Sequence, residues 1–104
     1  MAAVIAGNFS NAMYASAYEY LNKELNKSYY NYLAPLITTT AKKALFNNPT
    51  TVQTGPAARN DKKTINKHIA LLKKQPELKR TYKTISKLIT KQQKSNAKLQ
   101  TKTK

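Results

Sequence analysis

Cysteine is absent from the 104 residues. That excludes disulfides, thiol nucleophiles and every cysteine-containing zinc site. Histidine occurs once, at His68, and the four acids are scattered, so no group of metal ligands can converge. The two glycines, Gly7 and Gly55, cannot make a G-x-G-x-x-G turn or a Walker loop. No apolar run approaches the ~20 residues of a membrane span. The opening Met1-Ala2-Ala3-Val4-Ile5-Ala6 has no basic stretch before it, and Asn8 ends it too early for a signal peptide. A cytoplasmic chain with no membrane partner is therefore expected. With no catalytic residue, metal site or cofactor turn in view, the chain alone is not expected to be a complete enzyme.

What is present is charge, and it is uneven. Nineteen basic residues face four acidic ones, for a formal net charge of +15. Only Arg59 and Arg80 are arginine. Residues 1–52 carry a net +2 and residues 53–104 a net +13, while six of the seven tyrosines precede residue 33. The first half reads as core-forming and the second as a half-exposed basic segment.

Apolar spacing predicts helix nearly throughout. Ile5, Phe9, Ala12, Met13, Ala17, Tyr20 and Leu21 recur three and four apart between Ala3 and about Leu25. Tyr14 and Tyr18 widen that stripe, so burial on more than one side is expected. Ser28 is placed to cap a second run reaching Leu45, with a kink or restart expected at Pro35. Asn47-Asn48-Pro49 ends it with turn-forming residues. The stretch from Pro49 to Asn60 has no helical period and is the clear loop. Asp61 is expected to cap the next helix, whose face is Ile65, Ile69 and Leu72. Pro76 and Glu77 suit the start of a last helix with the stripe Leu78, Tyr82, Ile85, Leu88 and Ile89. After Lys91 hydrophobic content falls and fraying is expected. The expected architecture is a single all-α domain of about four to five helices over residues 1–93, followed by a basic, poorly ordered tail over 94–104.

The stretch Q-T-G-P-A-A-R-N-D-K-K-T-I-N-K-H-I-A-L-L-K-K-Q-P-E-L-K-R-T-Y, Gln53 to Tyr82, resembles the C-terminal helical domain of Rossmann-type NADP oxidoreductases. These are often called deazaflavin-dependent NADP oxidoreductase-like. A-A-V-I-A-G-N-F-S-N-A-M-Y, Ala2 to Tyr14, and P-L-I-T-T-T-A-K-K-A-L, Pro35 to Leu45, are similar to the same domain. The resemblance covers about residues 2–91. It implies a domain of unknown function with a fold like the C-terminal part of 6-phosphogluconate dehydrogenase, one that builds a homodimer and closes one wall of the active-site cleft. It also implies a Rossmann nucleotide-binding domain, in cis or in trans, and NADP for the full-length protein. Those elements are not among these residues, so the isolated chain is expected to be inactive and to hold no cofactor.

Within that frame the cleft candidates are Asn8, Asn11, Thr54, Gly55, Pro56 and Arg59. Gly55 can adopt positive φ and admit a ligand close to the backbone, and Pro56 stiffens the backbone after it. The Arg59 guanidinium can fork onto a carboxylate or phosphate. Asn8 and Asn11 are polar in an apolar helix and can reach a substrate across a cleft. The plainer alternative is a connecting turn with a solvated arginine, and a helix start facing water. His68 sits beside Ile69 without a nearby acid, as a boundary histidine would. Glu19 and Glu24 are five apart and share no helical face.

A rival reading takes the basic half as a small lysine-rich helical protein binding nucleic acid or other polyanions nonspecifically. Against sequence-specific recognition stand the dominance of lysine over arginine and the separation of aromatics from charge.

Overall fold

The computed structural model describes residues 1–25 and 30–103. Among these the chain is all-α, with four α-helices, a π-helical segment, one 3-10 turn and no strand. It divides into two compact units, Met1–Lys42 and Lys43–Lys104.

In the first unit, residues 2–25 form one helical run. It comprises a π segment, Val4–Phe9, and α1, Ser10–Leu25. Apolar spacings of three and four announce a helix there. They do not say whether its hydrogen bonds close over four residues or five, and the π segment is the difference. The Ser16 hydroxyl donates to the Ala12 carbonyl at 3.1 Å, so it is satisfied on its own helix. Burial on several sides is not what this run shows: Ile5 is 55% exposed and Phe9 57%.

The second helix, α2, spans Tyr30–Phe46 and passes through Pro35 without interruption. Proline there deprives the Asn31 carbonyl of its helical donor. Both residues are exposed, so water can take that place and the helix continues. Ser28, expected as a cap, lies outside the described residues. At the other end the Asn47 side-chain amide donates to the Lys43 carbonyl at 3.0 Å.

The second unit begins in the last turn of α2. Asn48 caps the 3-10 turn Pro49–Thr51, its Oδ1 accepting from the Thr50 amide at 3.1 Å. After the loop come α3, Lys62–Leu71, and α4, Pro76–Thr103. Pro76 occupies the first position of α4 and Glu77 its first turn, where a missing N–H costs nothing and a negative charge meets the positive helix end. Among the described residues, Ala57 and Leu72 are the buried apolar ones, at 5% and 7% exposure. Around them Ile65, Ile69, Leu78, Tyr82 and Ile89 are half-buried. The His68 ring meets Tyr82 edge to face at 5.6 Å, and Nδ1 shares a hydrogen bond with the tyrosine hydroxyl at 2.8 Å. His68 thus ties α3 to α4. Gln93 Nε2 donates to the Thr50 carbonyl at 2.9 Å, tying α4 to the 3-10 turn.

One part of α4 departs from expectation. Ile85 and Leu88 are exposed, Leu88 because it is turned roughly a quarter of the helix circumference away from Leu78, Tyr82 and Ile89. The helix continues through Thr103. Falling hydrophobicity removes packing, but alanine, lysine and glutamine are good helix formers, and propensity sustains the turns.

Candidate functional site

The loop between the 3-10 turn and α3 is a closed backbone coil. The Arg59 amide donates to the Gly55 carbonyl at 3.3 Å, the Asn60 amide to Ala57 at 3.3 Å, and the Asp61 amide to Pro56 at 2.8 Å. Gly55 has φ +101°. A Cβ there would meet nothing within 4 Å, so glycine is required by the backbone angle and not by crowding. Asn60, at φ 56°, is the second left-handed residue, a conformation that asparagine tolerates better than most. Thr54 is exposed, Gly55 and Pro56 are half-buried, and Ala57 anchors the coil from beneath.

Asp61 stands at the N-cap of α3. Its Oδ1 accepts from the Thr64 amide at 3.1 Å and its Oδ2 from the Thr64 hydroxyl at 2.7 Å. Those two bonds, the hydroxyl first, hold the carboxyl below its ordinary value. Slight desolvation opposes them, and Arg59 and Lys67 add a favourable field. The Arg59 guanidinium reaches Asp61 Oδ2 only at 3.8 Å, and its side chain is 62% exposed. Asp61 is therefore committed to the helix, and Arg59 retains donors for an anionic group.

Asn8 lies within the π segment and Asn11 in the first turn of α1, both exposed. They belong to the first unit, whereas Thr54, Gly55, Pro56 and Arg59 belong to the second. Within the second unit the structure gathers a further set of residues that motif reading did not assemble. A groove of about 950 Å³ runs between α3, α4 and the loop. Its floor includes Ala57, Ala58, Ile65, Ile69 and Ala97, and its rim Lys62, Lys83, Lys87, Lys91 and Lys94. The signal was present in the lysine spacing of four, four and three along α4, which keeps those side chains on one edge. None of Thr54, Gly55, Pro56 and Arg59 lines this groove.

These features define an all-α module with a capped, glycine-opened loop and no dinucleotide turn among its residues. The chain belongs to the family described as Domain of unknown function (DUF2520), whose model matches residues 1–89. It is similar to a crystal structure described as a "putative NADP oxidoreductase" from Bacteroides fragilis. The two are 41% identical with a TM-score of 0.79, over 86% of this chain and 34% of the other. The chain thus spans about a third of the length of that solved protein. No curated protein matches it. The chain is thus an all-α domain similar to part of a protein so described, and a fold like the C-terminal part of 6-phosphogluconate dehydrogenase is consistent with the solved neighbour.

Proposed function

We propose that this chain is the C-terminal dimerisation and substrate-cleft domain of a Rossmann-type NADP-dependent oxidoreductase-like protein, inactive without a nucleotide-binding half. The observation that carries the reading is the 41% identity over 86% of this chain to a protein about two and a half times as long and described as a "putative NADP oxidoreductase". In this reading residues 1–93 form the functional module, 94–104 are a basic tail, and the protein works in the cytoplasm. The apolar side chains left exposed in the first unit, Ile5 and Phe9 among them, support a covering partner, either a second copy or the Rossmann domain. Asn8, Asn11, Thr54, Gly55 and Pro56 contribute to the helical wall. Arg59 holds an anionic group of substrate or of NADP.

The test is a chimera joining this chain to the part of the Bacteroides fragilis protein that it does not cover. The chimera should bind NADPH saturably at raised salt and scatter light as a dimer, while the chain alone does neither the binding nor hydride transfer. Saturable, salt-resistant NADPH binding by the chain alone would overturn the reading. In the chimera, Arg59→Ala should weaken ligand binding about tenfold with little change in melting temperature, since a charged hydrogen bond of about that worth is lost. A variant that unfolds with binding per folded molecule unchanged assigns Arg59 a structural role instead.

A second reading, nonspecific polyanion binding, is favoured by the net +13 of residues 53–104. It requires affinity for any polyanion to fall steeply with salt, with no preference among them.

A further inference from the structure

The groove between α3 and α4 combines two properties seldom needed together. Its floor is apolar, formed by Ala57, Ala58, Ile65 and Ile69, with Ala97 at the far end; its rim carries Lys62 from α3 and Lys83, Lys87, Lys91 and Lys94 from α4. Among the described residues no acidic side chain lines it. Along α4 the lining residues run from Lys83 to Ala97, a distance of about 21 Å, or four helical turns. On α4 the small or polar residues Ser86, Thr90 and Gln93 line the groove beside the lysines, so nothing bulky fills the trough.

We propose that this groove is a docking site for an amphipathic helix of a partner protein, apolar on the buried face and acidic along the flanks. Length, floor and rim each select that occupant. A small anion would use one or two lysines and leave the apolar floor in water. A nucleic-acid strand would satisfy the lysines but presents phosphates, and the described lining holds no aromatic ring on which bases could stack. A second copy of this chain has only Glu19, Glu24, Asp61 and Glu77 to offer. Asp61 is held by Thr64, and Glu19 and Glu24 share their helix with Lys23, so five rim lysines would remain mostly unmatched. An acidic amphipathic helix seats leucine-type anchors three and four residues apart over Ile65 and Ile69 while its carboxylates meet the lysines.

The experiment uses the whole chain and a labelled peptide of about 18 residues, leucine on one helical face and glutamate on its borders. Controls are a peptide of the same composition with the leucines scattered round the helix, and a thymidine single strand of about 20 nucleotides. At about 0.15 M salt the patterned peptide should bind about tenfold more tightly than either control, as followed by fluorescence anisotropy. Ile69→Ser should remove most of that advantage, and so should Lys87→Glu with Lys91→Glu. Equal binding of the scattered peptide or the oligonucleotide overturns the proposal, because then only charge is being read. So does a peptide that binds only by dissociating a pre-formed dimer, seen by ultracentrifugation, since the groove then belongs to a second copy. If Ile69→Ser does not fold, the double lysine variant, altered at exposed positions only, decides by the same criterion.

Discussion

The two compact units invert the distribution that composition suggests. The first, Met1–Lys42, holds most of the aromatics and little charge, yet its π segment leaves Ile5 and Phe9 in solvent. The second, Lys43–Lys104, carries most of the lysines, yet it contains the buried residues Ala57 and Leu72 and the contacts that join α3, α4 and the 3-10 turn. Apolar content measures how much surface wants covering. Whether it is covered is a separate matter, and in the first unit Ile5 and Phe9 are exposed. Lysine, for its part, does not prevent packing when its charged end can extend past a modest core.

That contrast can be broken most forcefully at Leu72. Leu72→Ala should cost about 2–3 kcal/mol in urea unfolding, since it removes a buried side chain from a core too small to collapse around the loss. Tyr82→Phe should cost about 1 kcal/mol by the same measurement, through the lost bond to His68. A result near zero would mean that the edge-to-face packing alone joins α3 to α4. Asp61→Ala should lower the melting temperature by a few degrees, through the lost cap. Because the Asp61 carboxyl titrates below its ordinary value in the fold, its contribution is full above about pH 4. It disappears as pH falls through the lower folded value. Asp61→Asn should accordingly lower the melting temperature near neutrality, where the carboxylate contributes in full, and the difference from the parent should vanish in acid. Phe9→Ala should be the mildest, under about 0.5 kcal/mol. A loss comparable to that of Leu72→Ala would show that the first unit buries this face after all.

How much of this was legible in the residues differs from element to element. The helices announced themselves because apolar spacing, Pro76 and the turn residues at 47–49 all point the same way, and local consistency of that kind fixes element type. Gly55 and Asp61 were readable for the same reason, one being the residue suited to positive φ and the other a strong cap. The uninterrupted course of α2 through Pro35 was not, because proline signals a lost bond but not whether solvent makes it good. Nor was the groove. It depends on which side of Ile65 and Ile69 the α4 lysines fall, and that is set by the crossing of two helices and not by either pattern alone. The exposure of Phe9 also escaped sequence reading, since a stripe that waits for a partner looks the same as one already covered.

The π segment has a bearing on how this helix can change. A five-residue closure holds one residue more than an α turn, so Val4–Phe9 behaves as an α-helix that has absorbed an insertion. Deleting Gly7 would let the run close as ordinary α-helix with α1 downstream keeping its face. Asn8, inside the segment, would instead move round the axis relative to Asn11. The first helix therefore carries a slot in which a one-residue length change is exchanged for a rotation of a polar side chain, separating what this end presents from how the rest of the helix packs.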